Sequence, residues 1–248
     1  QSEKQGYDIT FINTCFENRK MSYYEHCRYR NFEGVAIVCA DFNDPDVLEL
    51  MNSDLPVVTI DYVHHNCTAV SSNNIQGMED LVKYIYGQGH RKIAYIHGQQ
   101  ASYVTKDRLA SFYRTVDELG LNIPDEYIRT ADYLETREAA KQTKELLNLE
   151  DPPTCIIYPD DTSLIGGRNV IIEMGLRIPW DISIAGYDGT RMSQLLHPQL
   201  TTIRQDTELI GSEAAKRLIG SIEKPRTTLV ERVVIEGILV AGKSVGRI

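Results

Sequence analysis

Several things are scarce in this chain, and each scarcity narrows what it can be. It has no excess of positive charge: 26 Lys and Arg stand against 35 Asp and Glu, for a net charge of −9. Such a balance gives no electrostatic grip on a phosphate backbone, so these residues are not expected to hold DNA directly. No uninterrupted apolar run approaches the roughly 18 residues of a membrane span, and no secretory leader opens the sequence. A cytoplasmic protein without membrane contact is the expectation. Cysteine is sparse and odd in number, at positions 15, 27, 39, 67 and 155, with no Cys-x-x-Cys pair. That pattern predicts reduced thiols, mostly in the core, and no metal centre. His64 and His65 are adjacent and would point apart on a strand, with no third ligand spaced to help, so they do not change this.

The signatures of common α/β enzymes are missing as well. There is no Gly-x-Gly-x-x-Gly after the early strands and no Gly-x-Ser-x-Gly. Gly237-x-x-x-x-Gly242-Lys243-Ser244 fits a phosphate loop by letter. No helix can follow it in the four residues that remain, so it is set aside. No enzyme, no catalytic residues and no cofactor are expected.

What is present is alternation. Short runs rich in Val, Ile, Tyr and Thr predict strands at 7–14, 34–40, 56–60, 92–97, 154–158, 182–187 and 200–204, and two within 229–240. Amphipathic segments between them predict helices from Asp44 or Asp46 to Met51, from Asn73 or Asn74 to Tyr86, and over 106–119, 136–147, 161–174 and 206–219. Cap residues start these segments and glycines close several of them. Alternating β and α at this spacing predicts doubly wound parallel sheets. The pattern runs through two blocks, about 1–98 and 99–200, with the crossing read at His97–Gln100. Gln1–Gln5 reads as the last turn of a helix, and Gly6 as its cap.

Five blocks, in this order and spacing, resemble the effector-binding domain of the lac/gal repressor (LacI/GalR) family. They are Val70–Gly77 (Val-Ser-Ser-Asn-Asn-Ile-Gln-Gly), Gly89–Ile96 (Gly-His-Arg-Lys-Ile-Ala-Tyr-Ile), Arg108–Phe112, Pro153–Asp161, and Gly175–Ser183 running into Ile184-Ala-Gly-Tyr-Asp-Gly189 and Leu200-Thr-Thr-Ile-Arg-Gln-Asp206. Asn73 and Ser111 depart from the usual Asp and Gly, Asp160 from the usual Asn, and Gly242 from a frequent Arg.

The resemblance implies two Rossmann-like lobes of the periplasmic-binding-protein kind, joined by a three-crossing hinge, closing over a small effector. One lobe would hold 1–98 and 202–224, the other 99–201 and 225–248. The family's first strand and helix of lobe one are not matched, and neither is its helix-turn-helix headpiece. The chain is therefore expected to be the sensing and dimerisation part of a transcriptional repressor. Its partners would be a sugar or a purine, a second copy of itself, and operator DNA held only by an upstream headpiece. A transporter's solute-binding protein is the alternative.

Family positions fall on Asp61, Arg108, Tyr133, Asp160 and Asp188 as ligand contacts, with Gln205 as a weaker candidate. Carboxylates and a guanidinium fork suit hydroxyl-bearing ligands. Each also has a plainer reading: Asp188 as a turn former, Arg108 as a solvated helix charge, Asp61 as structural, and Asp160 and Asp161 as caps. Of the last two, Asp161 is taken as the cap and Asp160 as facing the ligand. His90 is read as structural. The resemblance also suggests the 73–86 helix (Ile75, Met78, Leu81, Val82, Ile85) and the region 42–55 as surfaces for a second copy, although the core must take most of that apolar stripe.

Overall fold

The computed structural model describes residues 5–12, 15–16 and 19–248, with side chains for 5–12 and 21–248. Residues 1–4 and 13–14, part of the predicted N-terminal helix turn and first strand, and the Cys15 side chain lie outside the described residues. In chain order the elements begin with β1 (Cys15–Phe16), β2 (Arg19–Lys20), α1 (Tyr23–Tyr29), β3 (Val35–Ile37), α2 (Pro45–Met51), β4 (Val57–Ile60), β5 (Thr68–Ser72) and α3 (Asn74–Gly87). They continue with β6 (Ile93–His97), α4 (Tyr103–Glu118), β7 (Ile128–Thr130), α5 (Thr136–Leu147), β8 (Cys155–Ile157), α6 (Asp161–Glu173) and β9 (Ser183–Asp188). The chain closes with α7 (Arg191–Leu195), β10 (Thr201–Arg204), α8 (Thr207–Glu223), β11 (Arg232–Ile235) and β12 (Ile238–Val240).

These elements form two compact units, Gln1–Ser72 with Asp206–Ile235, and Asn73–Gln205 with Glu236–Ile248. The chain therefore passes between units three times, after residues 72, 205 and 235. The first unit holds a four-stranded sheet ordered β11-β5-β4-β3, all parallel. The second holds a six-stranded sheet ordered β12-β10-β9-β8-β6-β7. Five of its strands are parallel, and β12 runs antiparallel along β10 at one edge.

Strand alternation builds the layers. In the second unit, Ile93, Tyr95, Cys155, Ile157, Ala185 and Tyr187 face Met78, Leu81, Val82 and Ile85 of α3 and Phe112 of α4. Their neighbours Ala94, Ile96, Ile156 and Ile184 face Ala139 and Leu146 of α5 and Leu164 and Ile171 of α6. A sheet covered on both sides needs such near-continuous apolar strands. The first unit repeats the plan on a smaller scale. Val47, Leu50 and Met51 of α2 cover Ile37 and Val57, and Ile210 and Ala214 of α8 cover Val58 and Val70.

Several expectations need correction. The crossings do not lie at 98, 201 and 224. β6 pairs with β8 and β10 with β9, so both belong to the second unit, whereas β11 pairs with β5 in the first. The polar stretch after His97 is the turn from β6 into α4. Residues 7–12 are not a strand: Ile9 and Phe11 are exposed and find no sheet face to cover. Helix α4 begins at Tyr103, ahead of the predicted Lys106, and α8 runs through Gly220 to Glu223. β5, β7, α1 and α7 were not foreseen. Cys39 follows β3 in a bend at φ 53° and is exposed, while Cys27, Cys67 and Cys155 are buried. Met78, Leu81, Val82 and Ile85 are spent in the core of their own unit, which leaves Ile75 as the exposed member of that stripe.

Candidate functional site

Parallel strands put their carboxyl ends on one edge of a sheet, where ligands of open α/β folds bind. In the second unit that edge gathers Gly98 after β6, Asp160 after β8, Asp188 closing β9 and Gln205 after β10. The opening turns of α4 add Thr105 and Arg108.

Arg108 is the centre. It is 3% exposed, too deep for a solvated helix charge. Its Nε donates to Asn74 Oδ1 at 2.8 Å and its Nη1 to the Pro159 carbonyl at 2.9 Å. The guanidinium lies 3.4 Å from the ring centroid of Tyr187, so its face is held as firmly as its edge. Nη2 stands 3.9 Å from Asp188 Oδ1. A guanidinium fixed on three sides offers its remaining N–H groups in one direction.

Asp188 sits at φ 97°, an unusual backbone for any residue but glycine, and Gly189 follows at φ 65°. A side chain at Gly189 would fall 2.4 Å from the Arg204 Cα, so only glycine fits this turn. Gln205 Nε2 donates to Asp188 Oδ1 at 2.6 Å. Burial pushes the Asp188 carboxyl up, while Arg108 and Gln205 pull it back. Tyr133 shares a 2.8 Å hydrogen bond with the Thr105 hydroxyl. Its ring covers Gly98, where an added Cβ would come within 2.2 Å. Burial raises the Tyr133 hydroxyl, against Arg108 and Thr105.

Of the paired aspartates, the cap is Asp160 and not the expected Asp161. Asp160 is the cap of α6. Its Oδ1 accepts from Thr162 N–H and Ser163 N–H, and its Oδ2 from the Ser163 hydroxyl and Leu134 N–H. Four donors fill the roughly four lone-pair positions of a carboxylate, which explains its complete burial. Asp161 lies inside the first turn and reaches across the sheet edge, accepting from Thr190 N–H at 2.7 Å and from the Thr202 hydroxyl at 2.8 Å.

Asp61 belongs to the first unit. It follows β4 at φ 57°, and its Oδ1 accepts from Ser72 N–H at 3.2 Å. His64 and His65 lie in the loop after β4 with ring centroids 4.3 Å apart, so they do not diverge as strand neighbours would. His90 is structural: its ring nitrogens meet Thr154 Oγ1 and the Gly246 carbonyl. Ser244 of the phosphate-loop look-alike donates to the Ile184 carbonyl and accepts from Thr201 N–H. Among the described residues, no three His, Cys, Asp or Glu gather as metal ligands would, and no helix is long and apolar enough to cross a membrane.

Sequence reasoning missed Asn74, Tyr187 and Thr202. Tyr187 could have been found, because it precedes Asp188 in a strand with both faces covered, and a buried aromatic face at the end of such a strand can seat a cation. Nothing in Leu200-Thr-Thr-Ile singles out Thr202.

Comparison with known proteins agrees with this fold. Residues 82–245 match the periplasmic binding protein-like domain family. The HTH-type transcriptional repressor PurR of Aliivibrio salmonicida (strain LFI1238) is 30% identical over 224 residues, covering 89% of this chain and 67% of that protein. The chain thus spans about two thirds of the length of such relatives. A transcriptional regulator LacI from Bacillus cereus subsp. cytotoxis NVH 391-98 superposes with a TM-score of 0.83 at 26% identity, over 89% of this chain and 79% of that one. A LacI family regulator from Enterococcus faecium, solved with bound ribose, shares the fold at a TM-score of 0.85 and 21% identity, over 100% of this chain and 90% of that one. These relatives are regulators, which sets the transporter alternative aside. The chain belongs to the LacI family of transcriptional regulators and is their periplasmic binding protein-like, ligand-sensing domain.

Proposed function

We propose that the carboxyl edge of the six-stranded sheet is a wall of the effector site, with Arg108, Tyr133, Asp188 and Gln205 as its ligand-facing groups. The observation that carries this reading is the buried Arg108, gripped by Asn74, Pro159 and Tyr187 while a further N–H group points toward Asp188. A carboxylate beside a fixed guanidinium offers acceptor and donor together, the pairing that a vicinal diol satisfies. An aromatic ring next to them covers the apolar face of a sugar. Asp160 supports this wall from behind through its cap. Asp61 is a separate candidate on the first unit.

The effector class this chemistry favours is a neutral sugar; the ribose bound by the Enterococcus faecium relative is one guide. A purine is the second choice, since the aromatic and amide groups could take a flat base. The output is regulation by population shift: an effector changes the balance of conformations only by its difference in affinity for them. The acidic domain itself leaves operator DNA to a helix-turn-helix segment of the kind the relatives' names announce, and a homodimer is the working assembly.

Thermal unfolding with pentoses, hexoses, disaccharides, phosphosugars and purines tests this. A ligand at 100 times its Kd adds about 2.7 kcal/mol. One class should raise Tm in the parent and not in Asp188→Ala, which remains folded. An equal shift in both proteins would overturn the site, and no shift with any member would overturn the effector class.

A further inference from the structure

The sharp turn that presents Asp188 is held from below by a residue that the ligand reading does not use. Asp161 is 2% exposed. Its Oδ2 accepts from both the backbone N–H and the hydroxyl of Thr190, at 2.7 and 3.2 Å. Its Oδ1 accepts from Thr202 Oγ1 at 2.8 Å. That hydroxyl in turn accepts from Gly189 N–H at 3.2 Å. The two backbone N–H groups after Asp188 therefore end, directly or through one threonine, on the same carboxylate. The turn they close has left-handed φ values at both Asp188 and Gly189. Such a backbone persists only where its surroundings over-determine it.

We propose that Asp161 is a positioning residue of the effector site: by holding Gly189 and Thr190 it fixes the turn that aims the Asp188 carboxylate toward Arg108 and Gln205. In its functional meaning this rests on the reading of Asp188 as a ligand contact. Burial pushes the Asp161 carboxyl up to about 6, its hydrogen bonds from Thr202, Thr190 and Ser193 oppose that rise, and the charge of Asp188 adds to it.

The test uses the ligand-free protein. Amide hydrogen exchange is measured residue by residue by NMR in the parent, Asp161→Asn, Thr202→Val and Thr202→Ser. The Gly189 and Thr190 amides should exchange about tenfold faster in Asp161→Asn, the change that goes with losing one charge-assisted hydrogen bond. Thr202→Val should speed Gly189 by a similar factor, and Thr202→Ser, which keeps the hydroxyl, should restore it. Ile184 and Tyr187 in the strand should not change. Unchanged rates at Gly189 and Thr190 would overturn the proposal. So would an acceleration spread evenly over β9, which marks a purely structural role. Should Asp161→Asn fail to fold, the valine and serine pair decides alone. Because no effector is present, failure of the ligand panel and failure of the exchange experiment are distinguishable.

Discussion

The two units each end a parallel strand in an aspartate with positive φ, yet the two carboxylates are used differently. Asp61, after β4, stands at φ 57° and turns an oxygen back onto Ser72 N–H at the end of the adjacent strand. Asp188, closing β9, stands at φ 97° and meets the side chains of Arg108 and Gln205. Position at a sheet's carboxyl edge is thus common to both. Both remain candidates for ligand contact, and they differ in that Asp188 stands among side chains that a ligand can also engage.

Arg108→Leu should have the largest effect. It strands Asn74 Oδ1, the Pro159 carbonyl and Asp188 without their cation, and breaking a buried pair in this way costs about 3–5 kcal/mol. Denaturant unfolding reads it, and a loss under about 1 kcal/mol would show the cluster to be solvated after all.

The pH dependence of Asp161 comes next. Its folded value of about 6 lies above the ordinary 3.8, so its contribution is fully present below pH 4 and is lost as pH rises through 6. A shift of that size corresponds to about 3 kcal/mol. The stability difference between the parent and Asp161→Asn should therefore move in favour of the variant between pH 4 and 7, and a flat difference would contradict it.

Gly98→Ala forces the Tyr133 ring off its seat and should cost about 1–3 kcal/mol. The change is legible in the Tyr133 side-chain signals and in weakened effector binding.

The contrast between the two aspartates is sharpened by two glycine variants. Asp61→Gly relieves a left-handed backbone as it loses a hydrogen bond, so its stability should change by less than about 1 kcal/mol and effector binding should persist. Asp188→Gly relieves a strained backbone as it loses its partners, so its stability should change by less than about 1 kcal/mol while effector binding disappears. The reverse pattern would exchange the roles of the two residues.

Much of this fold was legible in the sequence because two-sided burial leaves a plain signature. Apolar runs such as 182–187 and 154–158 read as covered strands, and the caps Asn73 and Asp44 are each one of the two residues that helix punctuation offered. The edges were harder. Residues 7–12 carry strand-like residues without a sheet to join, and β7 is too short to show a period. The crossings were misplaced because glycine marks a βα turn and a hinge with the same letters, and only pairing tells them apart. At the candidate site, Arg108 and Asp188 are named by the family resemblance, and the structure brings them within 3.9 Å of each other. That Asp160 and not Asp161 caps α6 was not legible, since either of two adjacent carboxylates can cap a helix and only their hydrogen-bond partners decide.

The pairing of β11 with β5 has a consequence for how the chain acquires its shape. Ala69 and its partner Arg232 stand on either side of the whole stretch from Asn73 to Gln205. The first sheet therefore cannot close until a large loop has been tethered, and loop-closure entropy makes such distant pairings slow. The second unit, by contrast, draws all but β12 and the final residues from one continuous stretch. During synthesis it can condense first and bring the two halves of its neighbour together. The larger sheet would then be complete, save for its antiparallel edge strand, before the smaller one is finished.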